Sequence, residues 1–504
     1  MTAEGELLAL RSNIDDLLDK LREAEQAWAP GLAQTAPEFR DSARNMVHYL
    51  AIRQVDLRDL QGDLARLGLS SLGRSEPHVQ ATLRAVRAAL TAMLGHDGWT
   101  PPEPSAVPLQ EGTALLVRHA TALLGPVPSH RAARIMVTMP TAAATDESLV
   151  GDLVRAGMDL ARINCAHDDP DTWRAVAANV RRAARDASRT CFIAADLAGP
   201  KVRTGALRPS GAKLRLYRGD VLELTRDCGP APVDREIPRI GCTLPEVIDA
   251  AEVGHRVLFD DGKIAGKVVE KDPDLLRITI THARAKGAKL RADKGINLPD
   301  TTLSASAPTD QDLVDLAVIA EFADLVEMSF VQQPGDVERL LEELGRLDAH
   351  DMGLVLKIET PSAFEHLPRL LITAMRRPKV GVMIARGDLA VESGYERLAE
   401  LQEEIMWLCE AAHVPVIWAT QVLEQLAKQG NPSRAEISDA AMSERAEAVM
   451  LNKGPYIRDA VVTLDDILRR MNEHQNKKVQ LMRPLRSWQP TFGDAAKSPA
   501  AAGG

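Results

Sequence analysis

Aromatic side chains are scarce: six tryptophans, four tyrosines and seven phenylalanines make up 3% of 504 residues. That is too few to build the stacking platforms on which single-stranded bases or sugar rings sit. A basic excess is missing as well. Sixty-one lysines and arginines face seventy-one acids, giving a net charge of −10 and a pI near 5.7. This is the wrong sign for coating a phosphodiester backbone or an anionic lipid surface, so neither nucleic acid nor membrane is expected as a partner. Cysteine is sparse and scattered (Cys165, Cys191, Cys228, Cys242, Cys409), with no C-x-x-C pair, and suggests neither a disulfide framework nor a zinc cluster. No apolar run has the length of a bilayer span, and acids at Glu4, Glu6, Asp15 and Asp16 do not fit a signal peptide. A cytoplasmic protein with 45% hydrophobic residues, about three domains and a small polar ligand is the expectation.

The first 130 residues read as helical. Leu8, Ile14, Leu17, Leu18 and Leu21, and then Leu50, Leu57, Leu60, Leu64 and Leu67, recur mostly three, four or seven apart, which predicts stripes for helix packing. A turn is expected at 68–73 and a proline-rich linker at 100–104. No catalytic constellation shows here, and an accessory or oligomerising role, with a homo-oligomeric assembly, is the reading.

From residue 131 short β-branched runs alternate with helical stretches: 134–140, 159–165, 190–199, 324–330, 353–360, 380–389, 414–421 and 446–454. Eight parallel strands joined by helices are predicted. Between the third and fourth runs, 206–295 looks like antiparallel β, with alternation over 213–225 and 276–282 and a hairpin signal at Asp260-Asp261-Gly262. The remainder, 131–205 and 296–480, has the length of a TIM (β/α)8 barrel carrying an inserted β-barrel lid domain, behind an all-α N-terminal extension. The tail 481–504 is expected to be disordered.

In a barrel, residues two apart on a strand share a face, and chemistry collects at the C-terminal strand ends. Polar residues fall there repeatedly: Arg162 and Asn164, Asp196, Ser329, Lys357 and Glu359, Arg386 and Asp388, Thr420, Asn452 and Lys453. Lys357 and Glu359 should point together into the barrel mouth. Glu359 and Asp388, acids on neighbouring strands, suit a hard cation that keeps several waters, Mg²⁺ or Mn²⁺. The cations Arg162, Lys201, Arg203 and Lys357 suit a phosphate or carboxylate.

The motifs AGMDLARINCAHDD, AADLAGPKVRTG, LFDDGKI, DKGINLP, MSF, LKIE, MIARGDLAVE, IWATQVLE and PSRAEISD, in this order and spacing, resemble the pyruvate kinase family from Arg134 to about Met471. The resemblance implies phosphoryl transfer from phosphoenolpyruvate to ADP, then protonation of the enolate to pyruvate. Lys357 would neutralise the moving phosphoryl group, with Arg162 beside it, and Thr420 would sit in the proton-delivery path. Glu359 and Asp388 would hold Mg²⁺. Asn164, His167, Asp196 and Arg203 would line the phosphate and nucleotide side, Ser329 would support the phosphate, and Arg386 and Gly387 would belong to the substrate site. The lid would close over the nucleotide with Asp261 and Lys294.

Departures from the family pattern accompany this. Ala166 and Leu197 stand where the family's monovalent-cation site has hydroxyls. Strand one ends Thr138-Met139-Pro140-Thr141, and the last strand leads into Asn452-Lys453-Gly454-Pro455. No counterpart of the family's C-terminal regulatory domain is expected within these residues. Lys201 stands where K⁺-dependent members carry glutamate, so the resemblance implies an internal ammonium and no K⁺ requirement. A Mg²⁺-dependent pyruvate-enolate lyase or aldolase, and a non-catalytic partner protein, are the alternatives.

Overall fold

Eight apolar segments, buried on both faces, build the centre of the molecule: Arg134–Thr138 (β1), Leu160–Asn164 (β2), Phe192–Asp196 (β3), Leu325–Met328 (β4), Gly353–Ile358 (β5), Val380–Ala385 (β6), Val416–Val422 (β7) and Ala448–Leu451 (β8). In this computed structural model, which describes residues 2–95, 100–301, 303, 307–472, 474–476 and 479–480, they pair in parallel in chain order. Arg134 opposite Ala448 closes β8 onto β1. The tail 481–504, expected to be disordered, lies outside the described residues.

Side chains alternate as a closed parallel sheet requires. Met136, Leu160, Ala194, Leu325, Val355, Met383, Ile417 and Met450 fill the barrel interior. Leu354, Leu356 and Ile358 face the helices. Glycine begins β5, and Gly381 is the second residue of β6, because something else fills that space. A Cβ on Gly353 or on Gly381 would come within 2.4 Å of the two methyl groups of Leu123. Leu123 and Leu124 end the helix Glu111–Leu124 and plug the base of the barrel.

The N-terminal region is helical: Ala3–Leu32 (α1), Arg40–Ile52 (α2), Arg58–Arg66 (α3), Val79–Met93 (α4) and Glu111–Leu124 (α5). Leu10, Ile14, Leu17 and Leu21 form the buried stripe of α1, which packs on α2 and α4, whereas Leu8, expected in that stripe, is exposed. Polar side chains join this layer to the barrel. Asn45 Nδ2 donates to Glu76 O (2.7 Å) and Ala411 O (2.9 Å), and its Oδ1 accepts from Val79 N. His413, fully buried, donates from Nε2 to Pro77 O (2.8 Å) and accepts from Ser42 Oγ (2.9 Å) at Nδ1.

Between β3 and β4 a separate core carries a six-stranded sheet, in the order Ile296–Asn297, Arg256–Phe259, Ile264–Asp272, Leu275–His282, Val221–Thr225 and Arg239–Gly241. Asp260, Asp261 and Gly262 all take positive φ and make the expected turn. The alternation over 213–225 is not one strand. Tyr217 N donates to Asp220 Oδ2 and Gly219 has φ +95°, so a turn separates Leu214–Leu216 from Val221–Thr225. The insert is also not wholly antiparallel, since Val221–Thr225 pairs with Arg239–Gly241 in parallel.

Candidate active site

Lys357, near the end of β5, enters the barrel mouth 7% exposed. Its ammonium lies 2.9 Å from Asp196 Oδ1, 2.6 Å from Ser329 Oγ and 3.3 Å from Glu359 Oε1, while Ser329 donates to Asp196 Oδ1 (3.0 Å). Burial alone would lower the pKa of this lysine. Asp196 and Glu359 outweigh it and raise the pKa, so the ammonium stays charged throughout the working range. Asp196 is buried too, but Arg162 and Lys357 hold its carboxyl below the usual range.

Arg162, on β2, is held by the scaffold at each of its three nitrogens: Nε donates to Glu327 Oε2 (3.1 Å), Nη1 to Thr138 Oγ1 (2.9 Å), and Nη2 pairs with Asp196. Glu327 lies opposite Asp196 in the β4–β3 register. Sequence reasoning missed it, although the two-residue rule applied to β4 pairs it with Ser329.

Glu359 follows the end of β5. Its Oε2 accepts from Phe330 N (2.6 Å), and burial, with the nearby Asp388 carboxylate, pushes its pKa up against the opposing Lys357. A divalent cation fits that situation, because it would offset the repulsion between Glu359 and Asp388 with hard oxygen donors and leave other positions to water and substrate. Among the described residues no group of three or more acids, histidines or cysteines converges on a metal.

Arg386 and Asp388 are not on a strand. β6 stops at Ala385, and Arg386–Ser393 is a helix, so residues two apart no longer share a face. The Arg386 guanidinium stacks 4.6 Å from the Trp418 ring, donates to Ala419 O (3.0 Å) and Thr420 O (2.6 Å), and pairs with Asp439. These contacts orient the helix. Asp388 instead meets Lys201, whose Nζ is 2.9 and 3.0 Å from its two oxygens. Thr420 sits where β7 is bulged, at φ +64°, and its Oγ1 accepts from Gly387 N (2.7 Å).

Residues 130–461 match the family described as pyruvate kinase, barrel domain. The chain belongs to the pyruvate kinase family. A pyruvate kinase of Mycobacterium intracellulare is 33% identical over 346 residues, covering 67% of this chain and 70% of the relative. One of Mycobacterium tuberculosis is 32% identical over 374 residues, covering 73% and 76%. One of Geobacillus stearothermophilus is 31% identical over 372 residues, covering 72% and 61%. As a member of the pyruvate kinase family the chain is an enzyme, a phosphotransferase of the kind that passes a phosphoryl group from phosphoenolpyruvate to ADP.

In this pyruvate kinase family barrel, Arg162, Asp196, Ser329, Lys357, Glu359, Asp388, Lys201 and Thr420 gather at one rim, and other expected residues stand apart from the lysine cage. Arg203 was expected among the convergent cations, but its guanidinium faces Asp293 (3.5 Å) in the insert. Lys294 meets Asp260 (3.1 Å), while Asp261 is exposed at the turn. Asn164 holds its own loop, its Oδ1 accepting from Ala166 N, and lines a small cleft with the exposed His167 and Lys453. Asn297 at the foot of the insert donates to Glu392 (2.7 Å), whose carboxyl burial pushes up to about 7. That joint between insert and rim had no signal in the sequence beyond the motifs containing its two residues.

Proposed function

We propose that this chain transfers the phosphoryl group of phosphoenolpyruvate to ADP, with Mg²⁺ or Mn²⁺ on Glu359 and Asp388 and without a requirement for K⁺. The observation that carries the reading is the caged ammonium of Lys357 beside that acid pair at the barrel rim. In the transfer, the P–O bond to the enolate oxygen breaks as a β-phosphate oxygen of ADP takes the phosphorus. Negative charge then moves onto an oxygen facing a fixed ammonium that needs no reorganisation. Glu359 and Asp388 would hold the divalent cation, which would supply charge neutralisation for the transfer. The enolate then takes a proton at its methylene carbon. Thr420, held by Gly387 N, lies in that delivery path, through water.

Arg162 and Ser329 fix the phosphate side through the Asp196 network. Asn164, His167, Arg203, Asp261 and Lys294 form the nucleotide side once the lid moves over the rim. Lys201 brings an ammonium to the acid pair that an ion would otherwise reinforce. A cytoplasmic homo-oligomer completes the reading.

The test is a coupled assay with phosphoenolpyruvate, ADP and Mg²⁺, following pyruvate. Turnover that stops on chelation of the divalent ion is the expected result. Well-folded protein that yields no pyruvate removes the proposal.

A further inference from the structure

Glu327 is a buried carboxylate that this chemistry leaves without a task. It is 0% exposed, inside the barrel, one strand from Asp196. Oε2 accepts from Arg162 Nε, and Oε1 is sealed from solvent without any hydrogen-bond partner. A buried carboxylate with an orphaned oxygen costs free energy in the ionised form unless cations compensate it. The groups facing it are Arg162 from β2, Asp196 from β3 and Lys357 from β5, with the Cys165 thiol beyond Arg162. Arg162 and Lys357 are thus shared between Asp196 and Glu327, and Lys357 is divided again with Glu359.

We propose that Glu327 is a positioning residue that takes up one proton from solvent when the phosphorylated substrate binds. The inference rests on the function proposed above. An incoming phosphate or carboxylate competes for the positive charge of Arg162 and Lys357, and Glu327, with a single hydrogen bond, is the carboxylate least held by other contacts. Once protonated it still accepts from Arg162 Nε through its carbonyl oxygen, so the guanidinium keeps its orientation while its charge is released toward the substrate. Asp196 cannot play this part, because Arg162, Lys357 and Ser329 all hold it ionised. Burial pushes Glu327 up to about 7, with Asp196 adding to it, which places the exchange near neutral pH. The sign follows from linkage: an added anion raises a carboxyl pKa, so protons are taken up, and affinity falls as pH rises above neutrality.

Glu327→Gln keeps the shape and the acceptor for Arg162 while removing the titration. Calorimetry of phosphoenolpyruvate with Mg²⁺, in two buffers of different ionisation heat at about pH 8, should show close to one more proton taken up by the wild type than by Glu327→Gln. At about pH 6 the difference should vanish. The KM for phosphoenolpyruvate should rise by up to about tenfold per pH unit above neutrality in the wild type and stay nearly flat in the variant. Equal proton counts in the two proteins overturn the inference.

An infrared titration of the ligand-free protein reads the same group without substrate. A protonated-carboxyl band lost between about pH 6 and pH 8 in the wild-type-minus-Glu327→Gln difference spectrum, from which the Glu392 carboxyl cancels, supports the assignment. Its absence overturns the assignment even in an enzyme that turns over phosphoenolpyruvate. A chain that shows the band but neither binds nor converts phosphoenolpyruvate refutes the proposed function and leaves the titrating carboxyl in place.

Discussion

At the scale of single residues, the site is a set of charges held in place before any substrate arrives. Lys357 is the centre, bonded on three sides. Lys357→Met removes the fixed cation that Asp196 and Glu359 share, and kcat should fall by about a hundred- to a thousandfold, the range for deleting one preorganised electrostatic group. Circular dichroism checks that the variant is folded, and a kcat within tenfold of wild type would contradict the role. Lys201 makes a second prediction. Its ammonium already contacts Asp388, so activity should be nearly unchanged when K⁺ is replaced by a bulky quaternary ammonium ion at equal ionic strength. Lys201→Glu should lose most activity, and added K⁺ should restore only part of it because Ala166 offers no hydroxyl. A many-fold stimulation of the wild type by K⁺ would contradict this.

At the scale of elements, Arg386 and Asp439 decide how the helix Arg386–Ser393 meets the rim. The pair is only partly buried, and the guanidinium is also tied to two carbonyls of β7. Asp439→Asn should therefore leave the fold intact while loosening Asp388. A rise of several-fold in the Mg²⁺ concentration needed for half-maximal rate, with kcat largely recovered at saturation, is the expected outcome of a Mg²⁺ titration. The same element shows why part of the site was not legible in the sequence. The β-branched runs located all eight strands, since a buried parallel strand reads as a continuous apolar run. Nothing in VGVMIARGDLAVE marks where strand gives way to helix, because Leu389, Ala390 and Val391 continue the apolar pattern on the helix. Lys357 and Asp196 were legible from strand spacing alone. The bulge that turns Thr420 toward Gly387 was not, as it depends on a positive φ at a threonine, which no local propensity favours.

At the scale of the molecule, the helical layer and the barrel share a boundary of buried polar groups, and one of them titrates. Burial lowers the His413 pKa to about 4 from an ordinary value of 6.5. A folded pKa below the unfolded one means that the neutral form is selected by folding. Its contribution is complete above about pH 6.5 and is lost as pH falls toward 4, on the order of 3 kcal/mol in all. Denaturation at about pH 7 and pH 5 should show the wild type losing about 2 kcal/mol more than His413→Gln over that interval. Equal losses would mean that the histidine does not sense acid.

The leucine in the barrel floor constrains the order in which this protein could have changed. Gly353 and Gly381 have no room for a methyl group while Leu123 is present, so Gly381→Ala alone should destabilise by about 1–3 kcal/mol through overpacking. Leu123→Ala alone should cost about 2–5 kcal/mol through the cavity it leaves. The double variant should cost clearly less than the sum, with a coupling of at least about 1 kcal/mol in a denaturation cycle. Strict additivity would mean the floor relaxes freely. If the coupling is found, a lineage could fill in the barrel glycines only after its helical plug had shrunk, and once they were filled the original leucine could not return.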